Sequence, residues 1–262
     1  MKRTGWIIIL ACAATSSQAQ SSWEIGGDAR MFSEGNNHFG IRLQRTDPHG
    51  RYGVTYFSLD NVGPDPIQGT DRKSVIRLFG VYGCGEAAPY ESTYGTVRFA
   101  LEGAVEFPGE FFSEDESSLV RASSSQGIPS IAIPVSIQKG ASTLRIRPTV
   151  VVFAHRLDVS SGGTIKGYGT VVAVEATYSQ AVSQEWTLSF TGLGLLQGNN
   201  SVNTDSGGPE RKAGYEARLA YQKEGSRWGA SVFVTNIAGP TGASRVLTGD
   251  DAAVGAAFHI RY

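Results

Sequence analysis

Residues 96–107 read Thr96-Val97-Arg98-Phe99-Ala100-Leu101-Glu102-Gly103-Ala104-Val105-Glu106-Phe107. One phase of this stretch is Val97, Phe99, Leu101, Gly103, Val105 and Phe107; the other is Thr96, Arg98, Ala100, Glu102, Ala104 and Glu106. Successive side chains of a β-strand point to opposite faces, so all of the charge falls on one face and the bulky apolar groups on the other. Twelve residues of unbroken period 2 exceed the roughly 5–6 of an ordinary soluble strand and match the roughly 9–11 that a tilted strand needs to cross a bilayer.

The same separation recurs along the chain. Phe39, Ile41 and Leu43 oppose His38, Arg42 and Gln44; Tyr215, Ala217, Leu219 and Tyr221 oppose Glu216, Arg218 and Gln222; Trp23, Ile25, Ala29 and Met31 oppose Glu24, Asp28 and Arg30. After residue 20 no stretch carries the helical period. Twelve segments are predicted as strands: 22–32, 38–45, 51–59, 74–84, 94–107, 128–138, 144–157, 168–180, 186–196, 213–223, 227–237 and 252–262. The sixth is the least regular, because Pro129 and Pro134 remove ladder donors.

Composition agrees with a barrel and excludes other classes. The net charge of −1 lacks the basic footprint of a nucleic-acid binder. Charged residues are 18%, below the roughly 25% of soluble domains. No apolar run approaches the roughly 18 residues of a membrane helix. Lys2 and Arg3, the apolar run Gly5 to Ala14, and the small residues Ser17 and Ala19 form a secretory signal peptide over 1–19, with cleavage predicted before Gln20 and a barrel over 20–262. Ile9-Leu10-Ala11-Cys12 offers the alternative of a lipidated Cys12. If Cys12 leaves with the signal, Cys84 is the one cysteine left and no internal disulfide forms.

The connections alternate. Those at 46–50, 139–143, 181–185 and 224–226 are short; those at 60–73, 108–127, 197–212 and 238–251 are long and polar. Short turns on the side of the termini and long loops on the other are the asymmetry of bacterial outer-membrane barrels. The connections 33–37 and 85–93 fit this alternation less well. Aromatic placement supports it: Trp23, Trp186 and Trp228 each open a strand at the short-turn end in the apolar phase, as does Tyr52, and Tyr82, Tyr178, Tyr221 and Tyr262 close strands there. Phe39, Phe107, Tyr168 and Tyr215 fall at the other end, giving two aromatic rings around an apolar band.

The chain ends Val254-Gly255-Ala256-Ala257-Phe258-His259-Ile260-Arg261-Tyr262, with Phe258, Ile260 and the terminal Tyr262 in alternate positions. This resembles the C-terminal assembly signal of outer-membrane β-barrel proteins. The resemblance implies an all-β, transmembrane, up-and-down antiparallel barrel of about twelve strands, folded by the barrel-assembly machinery. It also implies a place in the outer membrane among lipid and lipopolysaccharide. It does not select a subfamily.

The polar phase then lines the lumen. Its cations are Arg30, Arg42, Arg77, Arg98, Arg145, Arg147, Arg218 and Arg261; its anions are Glu24, Asp28, Glu102, Glu106, Glu175 and Glu216. Arginine suits carboxylate and phosphate through its planar fork. We therefore expect Arg42, Arg77, Arg98, Glu102, Glu106, Arg145, Arg147, Glu216 and Arg218 to line a narrow channel for small polar or anionic solutes. The alternative is a closed barrel stiffened by internal ion pairs and serving envelope structure or surface interaction. The loop 108–127, with Glu110, Phe111, Phe112, Glu114, Asp115 and Glu116, folds inward as a constriction, binds a divalent ion together with lipopolysaccharide, or stays solvated.

Enzymatic readings find little support. Outer-membrane phospholipases carry a histidine and a serine two residues apart on a strand, and none of His38, His49, His155 or His259 is so followed. Omptin proteases pair rim aspartates with an Asp-His pair; Asp250-Asp251 has no such histidine. His155, Asp158 and Ser160 lie too close in sequence to form a nucleophile–base–orienter chain. No metal-ligand spacing and no phosphate-cradling loop is present, so no cofactor and no enzymatic activity is expected.

Overall fold

Alternation is realised in twelve long strands: β1 (Ser22–Phe32), β2 (Asn37–Asp47), β3 (Gly50–Leu59), β4 (Lys73–Gly83), β5 (Gly95–Pro108), β6 (Ile128–Ala132 and Val135–Lys139), β7 (Ser142–Phe153), β8 (Gly169–Ala181), β9 (Trp186–Gln197), β10 (Gly214–Tyr221), β11 (Trp228–Ile237) and β12 (Thr248–Arg261). The structure, a computed structural model, describes residues 21–32, 37–47, 50–59, 73–83, 89–108, 120–121, 128–153, 157–159, 164–165, 169–198, 201–202, 209–210, 213–237, 239, 242–246 and 248–262. The proposed signal peptide lies outside them.

Each strand pairs antiparallel with the next, and β1 pairs with β12 from Glu24↔Arg261 to Phe32↔Ala253, so the sheet closes. Closure is what hydrocarbon demands, since an unpaired backbone group there costs several kcal/mol. The suspect sixth strand is broken at Ile133-Pro134, as its prolines require. The break is bridged: Ala100 N–H donates to Pro134 O at 2.9 Å and Ile133 N–H to Pro148 O at 3.2 Å. Gly140, at φ 59°, supplies the left-handed residue of the tight β6–β7 turn. The anomalous connection 85–93 contains a short arm, Tyr90–Ser92, that pairs back on the start of β5.

The outward face is apolar and open. Ile41, Leu78, Phe99, Leu101 and Val232 are all exposed, a pattern that makes physical sense only against lipid tails. At the short-turn end Tyr221 packs between Trp186 and Trp228, with ring centroids 5.0 and 5.5 Å apart. At the other end Phe39 meets Tyr56 at 6.1 Å. Tyr168 lies outside the described residues.

Candidate functional site

The lumen is built from the polar phase. The register turns all fourteen charged residues expected inside toward it, including Arg98, which donates to Gln138 Oε1 at 2.9 Å near the short-turn mouth. Midway up, Glu102 on β5 is clamped by Arg77 Nη2 and Arg147 Nη2, each at 2.8 Å. Arg77 Nε lies 3.5 Å from Glu106. Near the short-turn mouth Glu24 accepts from Arg42 at 2.9 Å, Arg261 at 3.0 Å and Gln44 at 3.1 Å. On the β10–β12 side Arg218 donates to Glu216 at 3.0 Å and to Ser231 Oγ at 2.8 Å. The Phe233 ring lies between Arg218 at 4.2 Å and Arg30 at 5.4 Å. Arg30 is 1% exposed and donates to Asp28 and to Ile237 O.

The loop-side half of the lumen is filled by the chain itself. Between β11 and β12 a four-residue helix, α1 (Gly242–Arg245), sits inside the barrel. Ala243 and Val246 are buried against Ile128, Val151, Val171, Ala173, Leu193 and Ile237, an apolar patch on the inner wall. Ala243 N–H donates to Glu106 at 2.8 Å, and Arg245 pairs with Glu175 and, at 3.7 Å, with Glu216. Burial opposes the charge on Arg245, but Glu175 and Glu216 outweigh it and hold its pKa above the ordinary value. Gly242, at φ 62°, lies so close to Glu106 and Arg77 that a Cβ would collide with both.

Sequence reasoning placed a candidate constriction at 108–127. Its acidic and phenylalanine residues lie outside the described residues, and its described part, Val120–Arg121, pairs with Leu157–Val159 of a neighbouring connection. The described segment that enters the lumen belongs instead to 238–251.

Below this seal two cavities, of about 570 and 410 Å³, share Arg42 and Arg218 in their walls. The smaller is lined by Arg51 and Arg145 as well as by Thr143, Thr177, Ser179 and Ser189. Arg145 faces Arg51 and Arg147 and also feels the carboxylates of Glu102 and Glu175, and among the described residues neither Arg51 nor Arg145 has an ion pair or a hydrogen-bonding side-chain partner.

Solved structures share this architecture. A KdgM porin in complex with disordered oligogalacturonate aligns with 90% of this chain and 98% of its own at 8% identity and TM-score 0.53. A NanC porin aligns with 91% of this chain and 98% of its own at 11% identity and TM-score 0.52. The fold is that of the outer-membrane β-barrel porins. No protein-family model and no curated sequence matches the chain, so the likeness to the porins is one of fold.

Within this barrel Phe258 and Ile260, the residues of the expected assembly signal, point outward. Tyr262 exchanges backbone hydrogen bonds with Trp23 at 2.8 and 3.2 Å. His38 is buried at the loop end of the lumen and His259 faces inward near the short-turn mouth. His49, His155 and Ser160 lie outside the described residues, as do the side chains of Asp158, Asp250 and Asp251.

Two functional candidates escaped the sequence reading. Arg51 was legible, because Tyr52 facing outward turns its neighbour inward. Arg245 was not, since a loop residue carries no periodicity to assign its direction.

Proposed function

We propose that the chain is exported through a cleaved signal peptide, folded by the barrel-assembly machinery, and placed in the outer membrane among phospholipid and lipopolysaccharide. There it forms a narrow channel for small anionic solutes. The observation that supports this is that Arg51 and Arg145, neither of them in an ion pair among the described residues, line a cavity together with Thr143, Thr177, Ser179 and Ser189. Arg51 and Arg147 repel Arg145 while Glu102 and Glu175 offset part of that repulsion, and a mobile carboxylate or phosphate entering between Arg51 and Arg145 relieves the rest. Arg98 extends the basic wall, and Arg42, Arg77, Arg147 and Arg218 with Glu24, Glu102, Glu106 and Glu216 form its ion-paired frame. The oligogalacturonate bound in a porin of the same architecture is a polyanion, which accords with a lumen of this sign.

A second reading, a closed barrel of structural or surface-interaction role, is favoured by the inserted α1 seal. Single-channel recording of the folded protein in a planar bilayer separates the two. Discrete steps with an anion-selective reversal potential support the channel. A correctly folded barrel, checked by heat-dependent gel migration, that stays silent both as it stands and with α1 removed sinks the channel and leaves the closed reading.

A further inference from the structure

Gly80 on β4 and Gly103 on β5 are direct cross-strand partners and both face outward. Neither has a left-handed φ, and a Cβ built on either meets nothing within 4 Å. Glycine inside a strand costs roughly 0.5–1 kcal/mol against alanine, so a pair of them without steric or dihedral need marks a surface shaped for close approach by something else. They floor a trough of about 720 Å³ whose sides are Leu43, Tyr52, Leu78, Val105 and Ile131.

A cation stands beside one end of the trough, next to its lining residues Trp23 and Tyr52. Tyr52 pairs with Gly80 on one side and with Arg45 on the other. Arg45 lies in the outward phase, its guanidinium 5.8 Å from the Trp23 ring centroid, within the aromatic ring at the short-turn end. Its Nη2 makes a long contact of 3.4 Å with Ser21 Oγ, and its Nε is shielded with no partner. Among the described residues no carboxylate pairs with it.

We propose that this trough binds one membrane glycerophospholipid, its acyl chain laid over Gly80 and Gly103 and its phosphodiester against Arg45. The occupant follows from the pairing of the two features. An apolar channel floored by backbone takes a hydrocarbon chain, and an unmatched guanidinium at the interfacial depth takes the phosphate that such a chain carries. The proposal needs the outer wall to meet a bilayer and is independent of whether the lumen conducts.

The test is native mass spectrometry of the folded, mature protein incubated with palmitoyl-oleoyl phosphatidylglycerol. We expect one lipid to survive the collisional activation that strips all others, and to be lost from Gly80→Leu, whose side chain fills the trough and leaves the lumen untouched. Arg45→Gln should release the lipid at lower activation. Gly192→Leu, at an outward glycine of β9 that is equally open, should keep it. Heat-dependent migration confirms that each variant is folded. The proposal is overturned if the parent and Gly80→Leu lose lipid alike, or if Gly192→Leu loses it as readily. It is also overturned if Gly80→Leu instead dissociates a dimer while the lipid count stays the same. Conductance is unaffected in every arm, so failure here and failure of the channel reading are separate results.

Discussion

Glu102 and Glu24 are the same device in two places. Each is a carboxylate on the inner wall held by two arginines at 2.8–3.0 Å. The arginines of Glu102 are 2% and 8% exposed; those of Glu24 are 36% and 52% exposed. In mid-barrel the three groups have exchanged water for one another, so removing Glu102 strands Arg147 and leaves Arg77 with Glu106 alone. At the mouth, water and salt replace whatever is removed. The same residue types therefore form a rigid frame at one level and a soft, screened rim at the other, and solvent access sets the difference.

Four experiments bear on this contrast. The largest effect is expected from replacing residues 242–246 with a glycine–serine linker, which removes the seal above the frame. Conductance in planar bilayers should rise several-fold over the parent; an unchanged value would mean that α1 does not limit the lumen. Next, Arg51→Glu with Arg145→Glu should reverse the sign of the reversal potential in a salt gradient. Anion preference retained in that variant would remove the lower cavity from the conduction path.

Glu102→Ala leaves buried Arg147 without its ion pair and Arg77 with Glu106 alone, and should cost about 3 kcal/mol. It would be read as a lowered midpoint of urea unfolding in phosphatidylcholine vesicles at unchanged slope. Glu24→Ala should cost less than about 1 kcal/mol in the same assay, and less still at high salt. Equal losses for the two glutamates would erase the distinction between frame and rim.

Most of the wall was legible because a strand has only two faces. Once Val97, Phe99 and Leu101 are assigned to the outer face, Arg98 and Glu102 have nowhere to go but inward, and the same logic placed Glu24, Asp28 and Arg30 of β1, Arg42 of β2, Arg77 of β4, Arg145 and Arg147 of β7, and Glu216 and Arg218 of β10. The seal was not legible, because Ala243 and Arg245 sit in a connection where no period constrains direction. A signal for its docking surface was nonetheless present. Thr149-Val150-Val151-Val152-Phe153 and Val171-Val172-Ala173-Val174 break the alternation and are apolar on both faces. A polar lumen has no use for Val151 and Val171, and their burial under Ala243 and Val246 accounts for them. Phe233 breaks the rule likewise, and its ring lies against Arg30 and Arg218. The ring thus supplies a face for cations that the polar phase alone would leave to water.

The β1–β12 seam joins residues 237 apart, as the Glu24–Arg261 hydrogen bond shows. Every other pairing between the twelve strands joins neighbours in the chain, so hairpins can form one after another while this seam must wait for the final strand. Until then β1 and β12 both present bare edges, the arrangement most prone to join with the wrong chain. The slowest and most hazardous moment in this protein's life is therefore its last pairing, and its yield on refolding should depend more on dilution than on the strength of any single contact within the finished wall.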